Sequence, residues 1–150
     1  MMLLTTLLKE YGLNPKKTKL VRHALSNVKV RTCYGKGLLE DYQAIQPRSV
    51  FHNYTHVMVF LGEEKGTTAD FFGLYEIKEE LCGGPFIAKM PEGYPYPEEY
   101  ANDRYWYDLS RDKVVSDQLE GLTIEWGSAA RAWHQVATNE KEVLEIRRRP

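Results

Sequence analysis

The sequence predicts a single α+β domain with a mixed, strongly curved or barrel-like β-sheet of about six strands and two or three helices. Its 150 residues suit one hydrophobic core. Short apolar or alternating runs, which are typical of strands, recur from residue 19 to residue 146. Helical spacing of apolar residues is concentrated in the first third of the chain. Because strands and helices do not alternate regularly, a doubly wound parallel sheet is not expected.

The opening third is predicted to be α-β-α. Leucines at helical spacing predict a first helix from about residue 2 to residue 11, which Gly12 ends. Residues 19–23 are typical of a short strand. The apolar positions between residues 38 and 45 predict an amphipathic helix that ends before Pro47.

Two strands are predicted in the middle of the chain, at residues 56–61 and 71–77. Both runs are apolar at successive positions, so both faces of these strands should be buried. Residues 79–103 are predicted to be a long loop, because their density of Gly and Pro excludes a regular element of useful length.

The remaining strands are predicted in the last third. Residues 104–109 and 122–126 alternate in the manner of strands. Residues 132–136 and 143–146 can form a final strand pair around a turn, although the last segment could equally be helical.

Charge and cysteine content exclude several classes of protein. The formal net charge is −1, so any binding to nucleic acid would need a local basic patch. Cys33 and Cys82 form no C-x-x-C pair, which favours free thiols in a reducing compartment and a cytoplasmic location. No apolar run approaches the roughly 18 residues of a membrane span, so no membrane partner is expected.

Two sets of residues could bind a metal, but each is incomplete. His52 and His56 have the spacing of a zinc-binding pair on a helix, yet a third ligand is missing. Asp70, Glu76 and Lys78 are the residue types of a magnesium-dependent nuclease, but both carboxylates fall on what is predicted to be one strand. The sequence therefore predicts no catalytic residue, no metal site and no cofactor.

Residues 73–77, Gly-Leu-Tyr-Glu-Ile, resemble the first half of the GIY-YIG nuclease motif, in which a strand Tyr activates the nucleophile. The second half of the motif does not follow. An Arg and a metal-binding Glu are also missing at usable spacing. The segment is therefore predicted to be a hydrophobic strand.

Aromatic and basic side chains form the strongest candidate set. Aromatic rings stack on exposed bases for ~1–3 kcal/mol each, and Arg or Lys neutralises phosphate. Roughly half of these aromatics could instead be core residues. The predicted nucleic-acid-binding residues are Arg22, His23, Arg31, Tyr34, Trp106, Trp126, Arg131 and Trp133.

The order of short motifs along the chain resembles an uncharacterised bacterial domain. That domain stands N-terminal to GIY-YIG nuclease domains in restriction or defence-type endonucleases, and the likeness runs from about residue 2 to residue 148. The motifs are Leu20-Val21-Arg22-His23, Arg31-Thr32-x-Tyr34, Asp41-Tyr42-Gln43, Phe71-Phe72-Gly73-Leu74-Tyr75-Glu76, Tyr107-Asp108-Leu109, Ile124-Glu125-Trp126-Gly127 and Arg131-x-Trp133-x-Gln135.

The resemblance implies a recognition domain, residues 1–150, that reads nucleic acid for a GIY-YIG nuclease domain in cis or in trans. DNA is the expected target rather than RNA, and a modified base extruded into an aromatic pocket is the more specific expectation. By analogy with other readers of modified bases, the fold would be PUA-like. Residues 146–150 would form a linker, and cleavage is not assigned to these 150 residues.

Two alternatives remain open from the sequence. The first is a protein-interaction or scaffold domain, in which the aromatic residues form an exposed patch. The second is a small metal-dependent nuclease that uses Asp70, Glu76 and Lys78.

Overall fold

A computed structural model describes residues 1–33, 38–46, 48–82, 93–96, 105–127 and 134–147, apart from the side chains of Leu81 and Cys82. These residues form nine strands and four α-helices. The strands are β1 (Met2–Leu3), β2 (Thr18–Ala24), β3 (Ile45–Gln46), β4 (His56–Gly62), β5 (Thr68–Cys82), β6 (Tyr105–Arg111), β7 (Thr123–Glu125), β8 (His134–Val136) and β9 (Glu142–Glu145). The helices are α1 (Leu4–Glu10), α2 (Val28–Cys33), α3 (Leu38–Ala44) and α4 (Lys113–Gln118), and Pro15–Lys17 form a 3-10 turn.

All nine strands join one mixed sheet, which runs in the order β1-β9-β7-β5-β4-β2-β8. Strand β6 also pairs with β5, and β3 pairs with β6. Among the described strands only β2 and β4 are parallel neighbours. The predicted α+β class and mixed sheet are confirmed, whereas the barrel-like form is not, because the sheet is open.

The long strand β5 pairs with two strands along the same edge. Strand β7 pairs with its first residues and β6 with its second half. Helix α4 lies between β6 and β7. Its Ser116 supplies a hydrogen-bond partner for the backbone of β5 at the position that neither strand covers. The Leu74 amide donates to Ser116 Oγ at 3.0 Å, and the Asp112 amide donates to the Leu74 carbonyl at 2.9 Å. The edge of β5 is therefore satisfied where no strand covers it.

The centre of the sheet is buried on both faces, because successive side chains of its central strands point in opposite directions and both sets are covered. Helices α1 and α4 pack over a cluster that includes Leu20, Met58 and Leu74. Val21 and Val59 line the other face, which continues beneath α2 and α3. The prediction that both faces of the two central strands are buried is confirmed for β4, whose residues 57–61 are at most 5% exposed.

Several element boundaries differ from the prediction. The first helix is shorter than expected, at Leu4–Glu10, and β5 continues to Cys82 because β6 pairs with it. Helices α2 and α4 were not predicted, because each has only six residues and includes β-branched residues. The last segment is a strand, β9.

Most of the predicted loop at residues 79–103 lies outside the described residues. Of the expected linker at residues 146–150, Ile146 packs against the core beneath α1 and α4, while residues 148–150 are not described. No helix among the described residues is long and apolar enough to cross a membrane.

Candidate functional site

Half-buried nitrogen-bearing side chains line one face of the sheet at β2 and its neighbour β8. Lys19 and His23 point to the same face because they are four residues apart on a strand. His134 of β8 is paired with Val21, so its side chain lies between those of Lys19 and His23. Together with Gln43 of α3, which contacts His23, these residues form what we call the polar row (Lys19, His134, His23 and Gln43).

An aromatic ring lies beside each basic member of the polar row. The distances to the ring centroids are 4.8 Å from Lys19 Nζ to Tyr54, 6.0 Å from the His134 ring to Phe51 and 5.9 Å from the His23 ring to Tyr42. Tyr42 and Tyr54 are half-buried, whereas Phe51 is buried. The row therefore combines hydrogen-bonding groups with aromatic surface, as sites for planar heterocycles do.

Gln43 is the unusual member of the row because it is only 1% exposed. Its Oε1 is hydrogen-bonded to Nε2 of His23. Its amide nitrogen has no hydrogen-bond partner among the described residues. A buried polar atom without a partner costs about 1–3 kcal/mol, so such atoms are rare unless a ligand or water completes them.

Burial keeps the imidazoles of the polar row neutral at physiological pH. Burial, followed by repulsion from Lys19 and from His23 in its protonated form, lowers the pKa of His134 to about 4. Burial also lowers the pKa of His23, partly opposed by the hydrogen bond to Gln43. The pKa of Lys19 is lowered for the same reason. A neutral imidazole carries one donor and one acceptor, which suits recognition of a base edge.

A second polar cluster lies under the same helix, and we call it the β5–α3 network (Tyr75, Glu40 and Arg111). The Tyr75 hydroxyl donates to Glu40 Oε1 at 2.9 Å, and Arg111 Nη1 donates to the Tyr75 oxygen at 2.9 Å. Arg111 Nη2 also donates to the Phe72 carbonyl at 3.0 Å. Gly73 makes room for this arrangement, since a Cβ there would lie 2.5 Å from Arg111 Nη1.

The β5–α3 network has the character of a structural cluster. Burial and the negative charge of Glu40 raise the pKa of Tyr75, so its hydroxyl stays protonated and remains a donor. Tyr75 is only 1% exposed. The sequence has no Arg or Glu at the distance from Tyr75 that the GIY-YIG motif requires. The fold nevertheless brings Arg111 and Glu40, which are far from Tyr75 in the sequence, into contact with it.

Arg22 and Trp126, two of the predicted nucleic-acid-binding residues, are buried away from the polar row. Arg22 is 4% exposed, and its guanidinium donates to the carbonyls of Thr68 at 3.1 Å and Glu63 at 2.6 Å. Trp126 is 2% exposed and packs 5.9 Å from the Phe60 ring in the core beneath α1 and α4. Both side chains have structural roles in these positions, and their contact with nucleic acid stays a prediction.

Of the other predicted nucleic-acid-binding residues, the structure describes three and leaves three outside the described ranges. His23 belongs to the polar row, Arg31 is exposed on α2, and Trp106 is half-buried against the core of α2 and α3. Outside the described residues lie Tyr34, Arg131 and Trp133. The structure therefore brings His23, Arg31 and Trp106 to the α2 and α3 region, on the side opposite Trp126.

The paired histidines of the sequence do not form a metal site with each other. His52 Nδ1 lies 3.4 Å from Glu80 Oε1, whereas His56 Nδ1 is hydrogen-bonded to the Thr55 hydroxyl at 2.8 Å. Within the part of the chain that the structure describes, no three His, Cys, Asp or Glu residues are grouped to hold a metal ion.

The candidate nuclease carboxylates are separated along one strand. Asp70 and Glu76 are six residues apart on β5, which places them roughly 20 Å from each other. Asp70 accepts a hydrogen bond from Thr123 at 2.8 Å, and Glu76 lies 3.1 Å from Lys78. One cation could not bridge two groups so far apart.

Sequence reasoning missed Lys19, Gln43 and His134 as candidate site residues. One feature could have indicated Gln43, because it follows the buried Leu39 by one helical turn and so places an amide on the apolar face of α3. His134 gave no such indication, since its position depends on the pairing of β8 with β2. No protein-family model, no curated protein and no solved structure matches this chain.

Proposed function

We propose that this domain binds nucleic acid and reads a base at the polar row. The observation that carries the proposal is the buried Gln43 amide nitrogen, which has no hydrogen-bond partner among the described residues. A ring nitrogen or carbonyl of a base would supply the missing acceptor. Because the base must leave its stack to reach this amide, a modified or weakly paired base in DNA is the proposed target.

The neighbours of Gln43 support the same ligand class. The neutral imidazole of His134 offers a further donor and acceptor, and the half-buried rings of Tyr42 and Tyr54 offer stacking surface worth about 1–3 kcal/mol per base. Lys19 provides a positive charge for an adjacent phosphate. Charge, aromatic surface and hydrogen-bonding groups thus lie within one row of side chains.

The resemblance of the motif order extends this proposal to a partner. The reading domain would position a GIY-YIG nuclease domain, in cis or in trans, on DNA in the cytoplasm. A PUA-like relationship remains part of the proposal, by analogy with known base-reading domains. The chemistry of cleavage is assigned to the partner and not to these 150 residues.

A binding titration across plain and modified DNA duplexes at two salt concentrations tests the proposal. We expect one modification to bind at least about tenfold more tightly than plain DNA, which is about 1.4 kcal/mol. The double variant His23→Leu/Gln43→Met should lose that preference. Gln118→Met, on α4 at the opposite face, is the matched control and should keep it. Micromolar or weaker binding without preference for any modification would contradict base reading.

The scaffold alternative has no specific observation in its favour. The large apolar side chains that are exposed among the described residues are spread over several elements, and only Met1 and Leu144 adjoin the same strand pair, that of β1 and β9. These exposed side chains are Met1, Val28, Val114 and Leu144.

A further inference from the structure

A cleft of about 230 Å³ lies between α1, the 3-10 turn and the turn that follows β8. This volume exceeds the ~30 Å³ of a single water but is below the ~300 Å³ of a site for a drug-sized ligand. The cleft therefore fits a small group rather than a whole nucleotide. Its lining residues are Thr5, Lys9, Asn14, Pro15, Lys16 and Thr138.

The charge of the cleft favours an anion. Lys9 and Lys16 line it, and among the described residues neither ammonium group is in an ion pair. None of the lining side chains is a carboxylate. The nearest acidic group with a contact to the lining is Glu140, which accepts hydrogen bonds from the amide and the hydroxyl of Thr5. That carboxylate keeps its charge and offsets part of the field of the two lysines, so the three groups together carry a formal charge of +1.

The cleft adjoins α1 and the polar row lies on the other face of the sheet, but both are close to the start of β2. Lys17 Nζ donates to the Asn53 carbonyl at 3.2 Å, and Lys19 lies over the Tyr54 ring. Lys16 of the cleft and Lys19 of the row are only three positions apart, a span of at most about 10 Å. A strand whose base enters the row would therefore place a phosphate in the cleft by passing around this end of the sheet.

We infer that this cleft is a phosphate-binding site that holds a backbone phosphate of the nucleic acid read at the polar row. The inference rests on the proposed function for the source of the phosphate. It adds a second contact of a different kind, since phosphate contacts set affinity and register while base contacts set sequence preference.

The double variant Lys9→Gln/Lys16→Gln tests the site, with Lys113→Gln on helix α4, which does not line the cleft, as the control. We expect the double variant to weaken binding on the order of tenfold at 0.1 M salt, equally for plain and modified DNA. The slope of log affinity against log salt should fall by about 0.7–0.9, the contribution of one phosphate. Equal affinities and slopes for the double variant and Lys113→Gln would overturn the inference.

A second measurement separates this inference from base reading. Inorganic phosphate is titrated into the wild-type chain, with chloride as the reference anion, while backbone amide resonances of Thr5, Lys16 and Thr138 are followed. Shifts that saturate in wild type and vanish in Lys9→Gln/Lys16→Gln would support a phosphate site even if no DNA bound, and would then refute nucleic acid as its source. No shift, or the same shift in the double variant, would overturn the site itself.

Discussion

Two polar clusters lie under helix α3 and differ in how completely their hydrogen bonds are made. In the β5–α3 network, Tyr75, Glu40 and Arg111 bond to one another, and Arg111 also bonds to a backbone carbonyl. In the polar row, Gln43 leaves its buried amide nitrogen without a partner among the described residues. A satisfied cluster stabilises the fold, while an unsatisfied one lowers stability unless a ligand or an ordered water completes it.

The two clusters also differ in charge. The β5–α3 network joins a carboxylate and a guanidinium 3.4 Å apart, so opposite charges offset each other there. The polar row contains an ammonium and two imidazoles with no carboxylate among its members, so positive charge accumulates if the imidazoles are protonated. The β5–α3 network should therefore contribute to stability at all moderate pH values, whereas the polar row should lower stability mainly in acid.

The largest effect is expected for Gly73→Ala, which breaks the satisfied cluster. A Cβ at this position would lie 2.5 Å from Arg111 Nη1 and 2.9 Å from the Tyr75 hydroxyl. Displacing both groups should lower the free energy of unfolding by about 3 kcal/mol. Chemical denaturation measures this change. Gly66→Ala is the matched control, since its nearest neighbours are 3.4 Å away and it should cost less than about 1 kcal/mol.

Acid should destabilise the protein through the polar row. His134 has a pKa of about 4 in the folded state, below its ordinary value near 6.5, so between these two pH values the unfolded state binds more protons. The stabilisation is complete above pH ~6.5 and is lost as pH falls toward ~4, by about 2 kcal/mol for a half-buried group. Denaturation curves from pH 7 to pH 4 should show this loss in wild type and a smaller one in His134→Leu. An unchanged slope in His134→Leu, or an equal reduction in the control His52→Gln, would contradict this account.

Replacing both members of the pair in the polar row should raise stability slightly. His23→Leu/Gln43→Met removes the unpaired amide and its partner together, so no new unsatisfied group is left. We expect a gain of about 1 kcal/mol in the free energy of unfolding. Tyr75→Phe in the satisfied network should instead cost about 1 kcal/mol. If both changes destabilised the protein equally, the distinction between the two clusters would fail.

The smallest effect on stability is expected for Arg31→Gln on the exposed surface of α2. The free energy of unfolding should change by less than about 0.5 kcal/mol. If Arg31 contacts phosphate as predicted, affinity for DNA should fall equally for every sequence, and the salt slope should decrease by about 0.7–0.9. Affinity equal to that of Lys113→Gln would exclude this contact.

Sequence reasoning predicted the central part of the fold better than the candidate site. The runs at residues 56–61 and 71–77 predicted β4 and much of β5, because a strand that is buried on both faces is apolar at successive positions in the sequence. Trp126 was weighed as a stacking ring or a core residue, and composition could not separate the two. Its 2% exposure decides that it packs in the core.

The chain by itself determined the α+β class, the two-sided burial of the central strands and a net charge of −1 that confines nucleic-acid binding to local patches. Only the tertiary structure decided which polar groups meet. Gln43 reaches His23 across 20 residues, Tyr75 reaches Arg111 across 36, and His134 enters the row through the register of β8 on β2. Such contacts depend on strand pairing and on the position of α3 over the sheet. Both arise from non-local packing, which produces no characteristic spacing of residues in the sequence.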